Sequence, residues 1–134
     1  MCRVLRLALT LVALPAAVCA ADAQSAFVIS VQNPSARVGE KAVVVAKISM
    51  REGFAVVDVY RHRIINLVPS DGLEIERDTV PGSIQEGSIV FKVGVTPKKV
   101  GTHTVHGVFR FSYYFQGELD IRAAPFEATV TATE

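Results

Sequence analysis

After Ala23 the chain is dominated by alternation of apolar and polar residues with a period of two, which marks strands with one buried face. Phe27, Ile29 and Val31 share one face, with Ser30 and Gln32 opposite. Beyond the turn at Asn33-Pro34-Ser35, Ala42, Val44, Ala46, Ile48 and Met50 fall on one side, and Lys41, Lys47 and Ser49 on the other. Val43 and Val45 interrupt that polar side, so this strand is expected to be covered on both faces. Ile89, Phe91, Val93 and Val95 alternate with Ser88, Lys92 and Thr96; Val105, Phe109 and Phe111 alternate with Thr104, His106, Arg110 and Ser112. The chain closes on Phe126, Ala128, Val130 and Ala132, interleaved with Glu127, Thr129, Thr131 and Thr133.

Turn chemistry separates these runs: Arg37-Val38-Gly39-Glu40, Pro69-Ser70-Asp71-Gly72, Pro81-Gly82, Pro97 to Gly101, and Gln116-Gly117. About seven short strands without helical periodicity predict an all-β fold, an immunoglobulin-like two-sheet antiparallel sandwich. The least regular stretch runs from Arg51 to Gly87 and is expected to hold a sheet-switching strand and a long surface connection. The last strand pair, Phe109 to Glu134, reads as a hairpin around Gln116-Gly117-Glu118.

The first residues follow a different logic. Arg3 and Arg6 precede an apolar run from Leu7 to Ala17, and Ala21-Asp22-Ala23 supplies an A-x-A cleavage site. Residues 1–23 therefore read as a signal peptide and residues 24–134 as one domain, periplasmic or secreted. No later segment has the roughly 20 apolar residues of a membrane helix, so no membrane span is expected. Both cysteines, Cys2 and Cys19, lie in the leader, leaving the mature domain free of cysteine. Retention or lipidation of Cys19 is the alternative, although Val18 departs from the small residue that a lipobox places before its cysteine. Without the leader, acids and bases balance, which gives no basic footprint for nucleic acid.

Candidate chemistry is sparse. His62, His103 and His106 are the only histidines; positions 103 and 106 fall on opposite faces of one strand and are no local ligand pair, so they read as surface histidines and no metal site is expected. Glu118 and Asp120 share a face beside the turn and read as solvated carboxylates. No catalytic triad order, nucleophile elbow, phosphate loop or Cys-x-x-Cys occurs, and no cofactor is implied. Tyr60-Arg61-His62-Arg63-Ile64 gathers bases beside an aromatic, suited either to a small anion or to keeping an edge strand soluble. In Tyr113-Tyr114-Phe115, three consecutive aromatics on an alternating strand leave at least one side chain exposed.

Two segments together carry a resemblance. "REGFAVVDVYRHRI" and "GVFRFSYYFQGELDIRAAPFEATV" are similar to stretches of the N-terminal periplasmic domain of the thiol:disulfide interchange protein DsbD. The resemblance implies an immunoglobulin-like fold whose active relatives exchange electrons with periplasmic thioredoxin-like proteins through two cysteines in the late hairpin. The corresponding positions here fall around Tyr113 or Tyr114 and Leu119, so this chain resembles a form lacking the redox cysteines. Thiol exchange needs a thiolate, and that activity does not carry over.

The expected function is that of an exported, non-catalytic binding module for an envelope protein. Its partner-binding candidates are Tyr113, Tyr114, Phe115 and Gln116 at the hairpin, and Tyr60, Arg61 and Arg63 in the irregular stretch. The alternative is a small-molecule carrier or enzyme that combines Tyr60 to Ile64 with Glu118 and Asp120. A third reading is purely structural, one sandwich within a larger envelope assembly.

Overall fold

The computed structural model describes residues 26–134. The expected leader, its cleavage site and both cysteines lie outside them. Ten strands form, and no helix occurs among the described residues.

One sheet is built from β1 (Phe27–Gln32), β3 (Ala42–Met50) and β8 (Ser88–Pro97), with β6 (Leu73–Ile75) and β7 (Val80–Gln85) sharing the far side of β8. The other contains β2 (Ser35–Arg37), β10 (Glu118–Thr133), β9 (Gly101–Phe115) and β5 (Arg63–Pro69), with β4 (Phe54–Val56) beside the end of β9. In chain order β1, β3, β8 and β7 take the places of strands A, B, E and D of an immunoglobulin domain. β5, β9 and β10 take those of C, F and G. The pairing scheme thus defines an immunoglobulin-like sandwich. All ladders are antiparallel except the short parallel pair of β2 with β10.

The seam between the sheets is a sheet-switching strand, as the irregular stretch suggests. Val80 and Pro81 pair with Ile64 and Arg63 of β5, whereas Gly82 to Gln85 pair with Phe91 to Ser88 of β8. Gly82 is required at the crossing, since a Cβ there would lie 2.6 Å from Phe91 Cε2. β5 itself is bulged between Ile65 and Val68, with Asn66 at a φ of 56°. The bulge lets Ile64 and Leu67, an odd number of positions apart, both enter the core.

The predicted alternation places the core. Val44, Ala46 and Ile48 meet Ile89, Phe91, Val93 and Val95 from one sheet, and Val105, Phe109, Phe111, Phe126, Ala128 and Val130 from the other. Phe109 is the hinge of the packing, with ring centroids 5.2 Å from Phe91 and 5.3 Å from Phe126. With no cysteine among the described residues, this aromatic and aliphatic contact supplies the cohesion.

Four expectations need correction. The strands outnumber seven, and β9 and β10 reach 15 and 16 residues because one regular ladder continues past the sandwich into the hairpin. The long surface connection expected within residues 51–87 does not form, because four short strands, the sheet-switching one among them, fall there. Val43 is 43% exposed, so β3 is covered on one face only at that point. His62 and His103 are buried. Backbone bonding explains their burial: His103 Nδ1 and Nε2 face the carbonyl oxygens of Asp71 and Lys99 at 3.2 and 2.7 Å, tying the start of β9 to two neighbouring loops.

Candidate functional site at the hairpin

The β9–β10 hairpin turns on Gln116 and Gly117, whose φ angles of 53° and 81° make the two-residue turn with positive φ at both central positions. That turn matches strand twist, so Phe115 faces Glu118, Tyr114 faces Leu119 and Tyr113 faces Asp120. Cross-strand partners share a face, and the hairpin therefore presents two surfaces of opposite character.

The surface continuing the core carries Tyr113 and Phe115 with Glu118, Asp120 and Arg122. Tyr113 is buried, 5.6 Å in an edge contact from Phe54, and Phe54 stacks on Phe115 at 4.5 Å. The Tyr113 hydroxyl donates to Asp120 Oδ2 at 3.3 Å, and Arg122 Nε donates to the same oxygen at 3.1 Å. Burial pushes the Tyr113 hydroxyl above its usual pKa, against the pull of Arg122. The Asp120 carboxylate raises Arg122 in turn, first through their hydrogen bond. A hollow of about 470 Å³ lies here, lined by Phe54, Tyr113, Phe115, Glu118, Asp120 and Arg122 among others.

The opposite surface is apolar where solvent would be expected. Tyr114, Leu119 and Ile121 stand on it, 38%, 50% and 51% exposed. Further along the same face β5 and β9 set Arg63 directly opposite Arg110. Among the described residues neither arginine has a carboxylate partner within ion-pair distance. Arg110 Nε is buried with no hydrogen-bond acceptor, and Arg63 Nη1 donates to the Arg61 carbonyl at 2.7 Å.

Beside this surface the chain from Val57 to His62 is pinned by one imidazole. His62 Nε2 donates to the Val57 carbonyl at 2.7 Å, and Nδ1 accepts the Ser112 N–H at 3.3 Å. These two bonds select the neutral ring with its proton on Nε2. Desolvation lowers the His62 pKa accordingly, outweighing the Val57 bond.

Of the expected partner-binding residues, Tyr114, Phe115 and Gln116 are exposed at the tip, while Tyr113 belongs to the core and offers only its hydroxyl edge. Tyr60 is half-buried against His62 and Arg61 is exposed. The combination of Tyr60 to Ile64 with Glu118 and Asp120 is not assembled. Arg63 aligns with Arg110, Asp120 with Tyr113, and positions 110 and 113 of one strand face opposite ways. Among the described residues no group of three or more His, Cys, Asp and Glu side chains is placed to hold a metal ion, and no helix is long and apolar enough to cross a membrane.

Leu119, Ile121 and Arg110 were not anticipated, although a signal for the first two exists. In β10 the apolar positions are odd from Leu119 to Ala123 and even from Ala124 to Ala132, with Pro125 between. The alternation changes phase within one unbroken strand, so its first half turns apolar side chains away from the core.

Fold and site together define an immunoglobulin-like β-sandwich with an extended terminal hairpin. No protein-family model and no curated protein matches the sequence. Among solved structures, the chain is similar to AggA, the major subunit of aggregative adherence fimbriae type I from Escherichia coli. The two share 11% identity over 80% of this chain and 94% of that one, with a TM-score of 0.43. It is also similar to the seventh ScaB type I cohesin from Pseudobacteroides cellulosolvens, with 13% identity over 78% and 90% of the two chains and a TM-score of 0.48. A non-cellulosomal cohesin from Archaeoglobus fulgidus shares 12% identity over 82% and 93%, with a TM-score of 0.42.

Proposed function

We propose that this chain is an exported, non-catalytic interaction module whose contact surface is the outward face of the β9–β10 hairpin. The observation that carries the reading is the phase change in β10, which leaves Leu119 and Ile121 half-exposed beside Tyr114. Contiguous exposed apolar and aromatic side chains are the composition of the centre of a protein interface. Arg63 and Arg110 lie on the same face without carboxylate partners among the described residues. The fitting partner is an envelope protein that presents apolar side chains with a carboxylate among them to meet the guanidinium groups.

Export rests on the leader-like residues 1–23. Relation to the N-terminal domain of DsbD, in a form without the redox cysteines, is part of the same reading. It is supported by the two similar segments and by the cross-strand pairing of Tyr114 with Leu119, where the resemblance would set the cysteine pair.

A photo-reactive amino acid placed at Leu119 tests this in cells that export the protein, with the same probe at Val43 on the other sheet as control. One discrete adduct is expected from position 119, lost on Arg110→Glu and absent from position 43. Equal adducts from both positions, or an adduct indifferent to Arg110→Glu, would remove the face from consideration.

A further inference from the structure

β10 is paired with β9 along its whole length, but on its other side only Thr131 to Thr133 meet β2. The direction of its remaining backbone groups follows from two bonds. The N–H of Thr131 donates to the Pro34 carbonyl at 3.1 Å and that of Thr129 to Asn33 Oδ1 at 2.8 Å, both away from β9. The β9–β10 register is unbroken, so N–H and C=O directions alternate strictly. Leu119, Ile121 and Ala123 therefore also aim their backbone groups away from β9. The Asp120 carbonyl points the other way, accepting from Ser112 Oγ at 2.8 Å. Among the described residues no strand meets the edge between Glu118 and Ala128.

Edges of this kind are ordinarily blocked by proline, lysine or a bulge. Here the stretch from Glu118 to Ala124 has no proline, lysine or bulge, and its three charges, Glu118, Asp120 and Arg122, are of both signs. Its side chains are instead self-complementary. We infer that this edge pairs antiparallel with the same edge of a second copy, about a two-fold axis at Ile121. In that register Ile121 meets Ile121 of the second copy, and Leu119 meets Ala123 of the second copy. All are odd positions, so each pair exchanges N–H and C=O bonds. Asp120 faces Arg122 of the second copy and Arg122 faces its Asp120, which places opposite charges together on both sides of the axis. Pro125, whose missing N–H falls on this edge, lies opposite the second copy's turn at Gly117, where no ladder bond is needed. Registers that pair odd with even positions mismatch the direction of the backbone groups, those centred beyond Ile121 set Pro125 inside the ladder, and those centred on Leu119 or Asp120 bring Glu118 or Asp120 against a like charge.

The pairing goes beyond the contact face proposed above, because it uses the backbone edge and requires no other protein. It continues each β5-β9-β10 sheet across the axis and brings the apolar rows of both copies side by side.

Sedimentation velocity of the exported protein over a range from low to high micromolar tests the pairing. A reversible dimer is expected. Ile121→Pro removes one outward N–H per copy while breaking no bond to β9, and it is expected to weaken the dimer about 10- to 100-fold. Asp120→Arg and Arg122→Asp should each be monomeric alone, yet form a heterodimer on mixing, since each brings only one sign of charge. Thermal denaturation of each variant checks that the Asp120 bond to Tyr113 is not needed for folding. A wild-type chain that is monomeric throughout overturns the inference, leaving the edge to an extended segment of another protein. A dimer indifferent to Ile121→Pro, or single-charge variants that fail to pair on mixing, overturns it equally.

Discussion

His62 makes the stability of this domain sensitive to mild acid. Its Nδ1 accepts a backbone N–H from Ser112, and a proton on that nitrogen would turn the bond into two opposed donors inside the protein. Burial, which disfavours the charged ring, holds it neutral in the folded state, with its pKa below the ordinary 6.5 of the unfolded chain. Between those two values the unfolded state binds more protons, so stability rises with pH there. The contribution is complete above the unfolded pKa and is lost as pH falls through the window toward the folded value. One proton limits the slope to about 1.4 kcal/mol per pH unit. Protonation also breaks the Ser112 bond and leaves a buried N–H without its acceptor, a loss of about 1–3 kcal/mol. Urea denaturation of wild type and His62→Gln from about pH 7.5 to about 5 measures this linkage. Glutamine keeps a donor for the Val57 carbonyl but does not titrate. The stability advantage of wild type should narrow by about 1–2 kcal/mol across the range. Parallel profiles would refute the argument, because His103, His106 and the carboxylates are common to both proteins.

Other predictions concern the core, the seam and redox behaviour. Phe109→Ala, which empties the space between Phe91 and Phe126, should lower unfolding free energy by about 3–5 kcal/mol in urea titration. Gly82→Ala should cost about 1–3 kcal/mol by the same assay, since its methyl meets the Phe91 ring and Ile89 at the sheet crossing. The mature chain should show the same thermal midpoint with and without dithiothreitol and take up no alkylating reagent. A native disulfide would instead reveal itself as a loss of about 2–5 kcal/mol on reduction.

Much of the fold was written in local pattern. Alternation named the buried residues of β3, β8, β9 and the second half of β10 correctly, because a pleated strand with one buried face leaves no other register open to its apolar side chains. Gln116-Gly117 marked the final hairpin, since positive φ at both turn positions is costly for most residues. The candidate site was only half legible. Three adjacent aromatics required an exposed one, and Tyr114 is exposed. The phase change that exposes Leu119 and Ile121 is equally present in the order of residues, but Ala123 to Phe126 are apolar in succession and hide the point at which it falls.

Tertiary structure decided what depends on residues far apart in the chain. The burial of His62 follows from a partner 50 positions away, and no local property of Tyr60 to Ile64 indicates it. The separation of Arg63 from Asp120 is a matter of register between β5, β9 and β10. A single odd offset places the two on opposite faces of one sheet, whatever their chemistry suggests. The open edge of β10 is likewise a property of the assembled sheet. The sequence alone determined that β10 would be a strand and which side chains it would alternate. Only the three-dimensional pairing, with β9 on one flank and β2 reaching just its last residues, left backbone donors and acceptors without a strand partner among the described residues along the other flank.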